Sequence, residues 1–302
     1  MGERALLSDS NARLVAARRL TSRTRRRETG LFLAEGAPSV REALRCPGAV
    51  AELFVTAEAA ARHPDLLVEA VGAADRPGAA AAPWHAVAGG PVEMAGGPPG
   101  GRSRGAPIRV DEISPRAAKA LSETAAPQGL IAVCRQLDAP VAEALGAAPR
   151  LVAALVEAND PGNAGTILRT ADAAGAEAVL FAGDGVDPYH GKLVRASAGS
   201  LFHLPIARCA PDELLAAARA AGLSVLATTG RGARDLDDLA DAGALARPTL
   251  WLFGNEARGL PSEVIEAADE AVRIPIHGAA ESLNLAVAAG VCLYASARAQ
   301  RR

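Results

Sequence analysis

The chain has 302 residues, enough for two domains with separate cores. Half of them are hydrophobic but only 3% are aromatic, and no apolar run approaches the roughly 20 residues a membrane-spanning helix needs, so no membrane partner is expected. The net charge of −2 does not point to nucleic acid, yet it is uneven: residues 1–150 hold 19 Lys+Arg against 16 Asp+Glu, and residues 151–302 hold 13 against 18.

The N-terminus, MGERALLSDSNARLVAARR, lacks the continuous apolar core of a signal peptide, and a cytoplasmic protein is expected. Residues 11–27 read as one amphipathic helix ending in a basic turn. Seven arginines and no acid fall between residues 13 and 27, including Arg25, Arg26 and Arg27. Such a block suits phosphate, although a solvated helix end would give the same run. GLFLAEG (30–36) predicts a strand, PSVREALR (38–45) a helix, AVAELFVTA (49–57) a strand and AAARHPDLLVEAV a helix, the rhythm of a small α/β domain. Residues 72–107, rich in Gly, Pro and Ala, predict a flexible insertion. Order resumes with a helix over 113–123 and a strand over 128–137, and residues 138–150 read as a linker.

From Leu151 onward, apolar strand candidates fall at 151–157, 178–182, 202–206, 223–228, 249–253 and 271–276. Helical stretches separate most of them (163–174, about 190–199, 211–221, 261–267), and a long helix closes the chain over about 282–299. Near-continuous apolar strands alternating with helices predict a parallel sheet covered on both faces, with ligands bound beyond the carboxyl ends of its strands. His203 is expected within a strand in a structural role. The four cysteines (Cys46, Cys134, Cys209, Cys292) have no metal-ligand spacing and read as buried free thiols, and no metal is expected.

Three loops then stand out. NDPGNAGTILRTADAAGA (159–176) turns from a strand into a helix that Asn159, Asp160 and Asn163 can cap, with Arg169 about two turns in; a capped helix with a surface arginine explains the spacing equally. LWLFGNEARGLPSEV (250–264) ends a strand at Gly254 and puts Glu256 in a glycine-flanked turn, where it either orients a neighbour or is merely solvated. IPIHGAAESLNLAVAAGVCLYA (274–295) leads through Ser282 into the last helix. There Asn284 is expected one turn in, half-buried and in need of a partner, and Gly290 is expected to pack closely against another backbone. GRGARD (230–235) lacks the third glycine of a dinucleotide fingerprint.

In this order the three loops resemble the signature motifs of the SpoU/TrmH branch of the SPOUT RNA 2′-O-ribose methyltransferases. RRRETGLFLAEGAPSVREAL and SETAAPQGLIAV resemble the L30e-like substrate-binding domain that often precedes that catalytic domain. The resemblance implies an α/β fold: an L30e-like domain over 1–137, then a methyltransferase domain over 151–302 with a parallel sheet and a deep trefoil knot, in an obligate homodimer. It implies methyl transfer from S-adenosylmethionine to a ribose 2′-hydroxyl of RNA, 23S ribosomal RNA being favoured. Transfer RNA, or ribosomal RNA methylated for antibiotic resistance, are alternatives, and a non-catalytic RNA-binding protein is the reading from another class. By the same resemblance Arg169, Asn163, Glu256, Ser282 and Asn284 form the catalytic set. Thr228, Thr229, Gly230, Gly254, Ile274 and Leu283 would line the cofactor, and Asn159 with Arg25, Arg26 and Arg27 would meet RNA.

Overall fold

The structure, a computed structural model, describes residues 6–72 and 108–301. From residue 73 on, the insertion expected over 72–107 lies outside the described residues. The chain forms two compact units: residues up to Leu137 together with Tyr189–Phe202, and Asp138–Pro188 together with His203–Arg302.

The first unit is built on a five-stranded mixed sheet in the order β1 (Leu6–Leu7), β4 (Arg109–Ile113), β3 (Val50–Val55), β5 (Leu130–Arg135), β2 (Leu31–Glu35). β1, β4 and β3 run parallel, and β5 is antiparallel to both β3 and β2. The single basic helix expected over 11–27 is two helices, α1 (Ala12–Arg18) and α2 (Arg23–Thr29), because the chain passes through a 3-10 turn and an extended Ser22 between them. Leu14, Ala17 and Leu20 join the core with Phe54, Ile113 and Ile131. Arg26 is buried, and its guanidinium donates to the carbonyls of Leu20 and Thr21 at 2.9 and 2.8 Å, tying α2 to the turn before it. The helix expected after β3 is interrupted at His63: α4 (Ala57–Arg62) is capped by Thr56, and Pro64 opens α5 (Pro64–Gly72).

Tyr189–Phe202 belong to this unit although the residues on either side belong to the other. Phe32 of β2 packs on Tyr189 and Phe202, ring centroids 4.7 and 6.1 Å away. The Tyr189 hydroxyl accepts the Leu137 N–H at 2.7 Å, and Arg195, on α9 (Gly191–Ala196), pairs with buried Glu35 at 3.4 Å.

The second unit holds a seven-stranded, wholly parallel sheet in the order β10 (Arg234–Asp235), β12 (Glu270–Arg273), β9 (Ser224–Thr228), β11 (Thr249–Phe253), β6 (Leu151–Val156), β7 (Ala178–Ala182), β8 (Ile206–Cys209). β6, β7 and β11 are buried at every position, as strands covered on both faces must be. The strand expected over 202–206 begins only at Ile206, after Pro205, and His203 sits in a half-exposed turn, 2.7 Å from Asp172, rather than within a strand. Residues 138–150, expected as a linker, pack in this unit: α7 (Val141–Leu145) buries Val141, Ala144 and Leu145.

Helix α8 (Pro161–Ala174) packs against the last helix, α13 (Leu285–Gln300), while Trp251 of β11 donates its indole N–H to Ser296 of α13 at 2.9 Å. Gly290 of α13 does not meet another backbone as expected. A methyl group there would lie 3.6 Å from the Thr170 side chain, an ordinary contact.

Cys46, Cys134 and Cys292 are buried and Cys209 is partly buried; all are free. Burial pushes the Cys46 thiol up to about 11 and Cys209 up to about 12, and raises Cys134 and Cys292 further, so these are packing groups rather than nucleophiles. No helix is long and apolar enough to cross a membrane, and no cluster of potential metal ligands occurs, among the described residues.

Candidate active site

The sheet order itself brings the loops together. β6 lies between β7 and β11, so its onward connection leaves on one side while β11 and β9 lie on the other. The carboxyl ends on the two sides of such a switch point form a natural ligand crevice. Leu155 pairs with Phe253, which puts the turn after β6 beside the turn after β11. β9 and β12 follow, Val272 pairing with Thr228, so the ends of four neighbouring strands carry all three loops.

The turn after β6 starts at Glu157, whose φ of +51 is left-handed. The Asp160 carboxylate then caps α8 by accepting the Asn163 N–H at 2.7 Å, with Pro161 in the first helical position, where a missing N–H costs nothing. In the turn after β11, Gly254 is obligatory: a Cβ there would come within 2.4 Å of the Gly259 and Leu260 backbone. That close approach lets Asn255 and Gly259 exchange two backbone hydrogen bonds, of 3.0 and 2.8 Å. Buried Asn255 accepts the Ala257 and Arg258 N–H groups and donates to the Glu157 carbonyl at 2.9 Å.

Glu256 joins the first two turns. Its carboxylate accepts the backbone N–H groups of Asn159 and Asp160, both at 3.1 Å, and the Asn163 side-chain amide at 3.2 Å. Partial burial by itself would raise this carboxyl's pKa, but the N–H donors outweigh it and hold Glu256 below the usual carboxylate range. The Asn163 carbonyl oxygen then accepts from the Asn284 amide at 3.0 Å, and the Asn284 oxygen accepts the Ala286 and Val287 N–H groups. One directional chain thus runs Glu256–Asn163–Asn284, with a residue from each loop, and each amide is oriented by its neighbour. Asn284 is the cap of α13, not a half-buried residue one turn in; α13 starts at Leu285 and leaves Asn284 exposed.

The other expected residues fall around this chain. Asn159 touches Glu256 through its backbone. Arg169 lies on the exposed face of α8 and, among the described residues, makes no hydrogen bond or ion pair, so its charge is available. Ser282 and Leu283 are exposed in the segment before α13. Thr228 ends β9 and donates to the Leu252 carbonyl at 2.8 Å, the Thr229 N–H donates to the Val272 carbonyl at 2.9 Å, and Gly230 follows in the open. Gly254 and partly buried Ile274 directly follow the strands on either side of β9. Arg25, Arg26 and Arg27 belong to the first unit, and buried Arg26 is a structural group rather than a surface cation. The sequence reading passed over Glu157 and Arg258, which pair at 3.1 Å.

The strand ends at Thr228–Gly230, Gly254 and Ile274 offer small residues, backbone polar groups and, with Ile276 and Leu283 more than one-third exposed, uncovered apolar surface. That combination suits a nucleoside with an aliphatic tail.

The chain is similar to proteins of known family. The pattern of the SpoU rRNA Methylase family matches residues 150–294. The 23S rRNA (guanosine(2553)-2′-O)-methyltransferase RlmP of Bacillus subtilis is 29% identical over 287 residues, covering 95% of this chain and 96% of the relative. The 23S rRNA (uridine(2479)-2′-O)-methyltransferase of Streptomyces viridochromogenes is 42% identical over 144 residues, about half of each chain (46% and 49%). The crystal structure of an AdoMet-bound rRNA methyltransferase from Sinorhizobium meliloti superposes with a TM-score of 0.75 at 29% identity, covering 97% of both chains.

Proposed function

This chain belongs, through residues 150–294, to the SpoU rRNA methylase family, and from that premise we propose how its site works. The protein is an RNA 2′-O-methyltransferase that uses S-adenosylmethionine. We infer that its substrate is 23S ribosomal RNA and that it acts in the cytoplasm. The observation that carries the mechanism is the Glu256–Asn163–Asn284 chain, which ties three loops together at the start of α8, the helix that carries Arg169, whose side chain makes no hydrogen bond or ion pair among the described residues.

S-adenosylmethionine, when bound, supplies an electrophilic methyl group on a sulfonium. Thr228, Thr229, Gly230, Gly254, Ile274 and Leu283 would hold it, largely through backbone and apolar contacts. A guanidinium offers donors and positive charge but no acceptor, so Arg169 serves as an electrostatic group rather than a base. Its guanidinium binds the target phosphate and stabilises the negative charge that develops on the 2′-oxygen. Glu256 does not touch the substrate in this account; its acceptor positions face Asn159, Asp160 and Asn163, and it orients α8 and hence Arg169. Asn284 and Ser282 present polar groups beside the reacting ribose. Rate then comes from holding the hydroxyl oxygen and the methyl within roughly 3 to 3.5 Å.

The same reading carries a homodimer and a trefoil knot. Val287, Val291 and Tyr294 make an exposed apolar stripe at helical spacing along α13, continued by Leu283 in the segment before it, each between 37% and 53% exposed, and a second copy of the chain is the occupant we propose.

In the first unit the RNA-facing set is redrawn. Arg25 pairs with Glu28 at 2.6 Å and Arg26 is buried, whereas Arg18, Arg19, Arg23 and Arg27 are exposed and their side chains make no hydrogen bond or ion pair among the described residues. We propose that these four, rather than the run 25–27, neutralise RNA phosphates. Methyl transfer from labelled S-adenosylmethionine into separated ribosomal and transfer RNA tests the assignment. Label in 23S RNA supports it, and label in transfer RNA alone moves the substrate. No transfer together with no cofactor binding would replace the enzyme by a non-catalytic RNA-binding protein.

A further inference from the structure

Glu157 carries a feature that the mechanism above does not use. Apart from Ala198, it is the only non-glycine among the described residues with a positive φ, and it stands at the carboxyl end of β6, between β11 and β7, beside the crevice. A left-handed glutamate is strained, since only Gly and, less readily, Asn or Asp adopt that conformation at low cost. Strain of this kind persists where the surroundings over-determine it, and those surroundings are visible. The Glu157 N–H donates to Ala182 at 2.9 Å and its carbonyl accepts from Asn255 at 2.9 Å. A Cβ on Gly183 would come within 3.1 Å of the Glu157 side chain, and one on Gly185 within 3.3 Å of its Cα. Its carboxylate reaches Arg258 at 3.1 Å.

That ion pair is not a stability device. Arg258 is 70% exposed and Glu157 32%, and pairs so wetted contribute little to folding. What the pair does is close an exchange between two turns. The turn 157–160 gives a carboxylate to Arg258, and the turn 255–258 gives the Glu256 carboxylate to the N–H groups of Asn159 and Asp160. Arg258 stands two residues after Glu256, so fixing it fixes the segment that presents the Glu256 carboxylate.

We propose that Glu157 is a positioning residue for methyl transfer: its strained backbone aims the carboxylate at Arg258, and the pair sets the Glu256–Asn163–Asn284 chain. The inference rests on the methyl-transfer reading of the site, but one of its readouts does not need turnover. Glu157→Gly relieves the strain and removes the carboxylate, Glu157→Gln keeps a side-chain acceptor for Arg258, and Arg258→Gln removes the cation.

For Glu157→Gly the expected results are a melting temperature equal to or up to about 3 °C above wild type, faster hydrogen exchange at the Asn159 and Asp160 amides, and a kcat lowered about tenfold with KM for S-adenosylmethionine within about twofold. Glu157→Gln recovers most of the kcat, Arg258→Gln reproduces the loss, and the double variant Glu157→Gly/Arg258→Gln loses no more than either alone. A melting temperature that falls in step with kcat/KM would make Glu157 an ordinary structural residue. Unchanged exchange at residues 159 and 160 would overturn the proposal even if the wild type transferred no methyl group, whereas that inactivity alone would overturn only the enzyme reading.

Discussion

Asn163→Asp changes one atom of the site and inverts one link of its hydrogen-bond chain. The Asn163 amide nitrogen donates to Glu256 at 3.2 Å while its oxygen accepts from Asn284 at 3.0 Å. In the aspartate the second link survives, but the first becomes a carboxylate facing a carboxylate. The lost hydrogen bond to a charged group is worth about 1.5–3 kcal/mol. Coulomb repulsion at that distance adds about 1 kcal/mol at the dielectric of water and about 5 kcal/mol at an effective value of 20, and the exposure of Glu256 favours the lower figure. A total of about 3 kcal/mol corresponds to a loss in kcat/KM on the order of a hundredfold. Two carboxylates this close titrate as a pair, and the upper pKa of the pair rises above that of a lone carboxylate. A proton shared between them restores the link, so the variant recovers activity as pH falls, while wild-type Glu256, with its pKa lowered, stays ionised. The assay is the pH profile of kcat/KM for both proteins. A variant with wild-type activity, or one reduced by the same factor at every pH, would refute the claim that this link organises the site.

Arg26→Ala removes buried hydrogen bonds to Leu20 and Thr21 and should cost roughly 2–4 kcal/mol in thermal melting, whereas Arg23→Ala with Arg27→Ala should leave the melt unchanged and flatten the salt dependence of RNA binding. Phe32→Ala should cost roughly 3–5 kcal/mol by chemical denaturation, because it strips the ring that Tyr189 and Phe202 pack on. Glu256 also has a stability signature. Its folded pKa lies below the unfolded value of about 4.3, so its contribution is complete above about pH 5 and lost as pH falls through the folded pKa; Glu256→Gln should flatten that part of a stability–pH curve. Val287→Asp should turn a dimer into a monomer in light scattering, and an unchanged mass would exclude the α13 stripe as the contact.

The parts of the fold legible in the sequence are those in which one physical signal dominates. β6, β7, β9 and β11 are short runs of Val, Leu, Ala and Phe bounded by turn residues, and each stands within a residue or two of its expected place. β4 was missed because RVDEI puts a charge at its centre. Asp111 is buried there beside Arg13 and Arg109, which reach it at 2.7 and 3.1 Å, and no local pattern announces a partner such as Arg13, 98 residues away. The alternation of Phe202, Leu204 and Ile206 imitated a strand, but Phe202 is buried against the first unit's core and Pro205 withholds an N–H.

In the site, the glycines and caps are readable as turn chemistry, and the three motifs single out the loops that the sheet order brings together. The Asn163–Asn284 contact joins residues 121 positions apart through sheet order alone, so it could not be read from spacing. Arg26 shows the same limit in reverse, as a cation in a basic run that the fold turns inward.

Alkaline hydrolysis of RNA methylated with labelled S-adenosylmethionine distinguishes transfer to the ribose 2′-oxygen by this site from transfer to a base. A methylated 2′-oxygen blocks cleavage at its own linkage. The expected label is confined to alkali-resistant dinucleotides and is lost in Arg169→Ala with cofactor binding retained. Label released as a methylated mononucleotide, or transfer undiminished in the Arg169 variant, would contradict it.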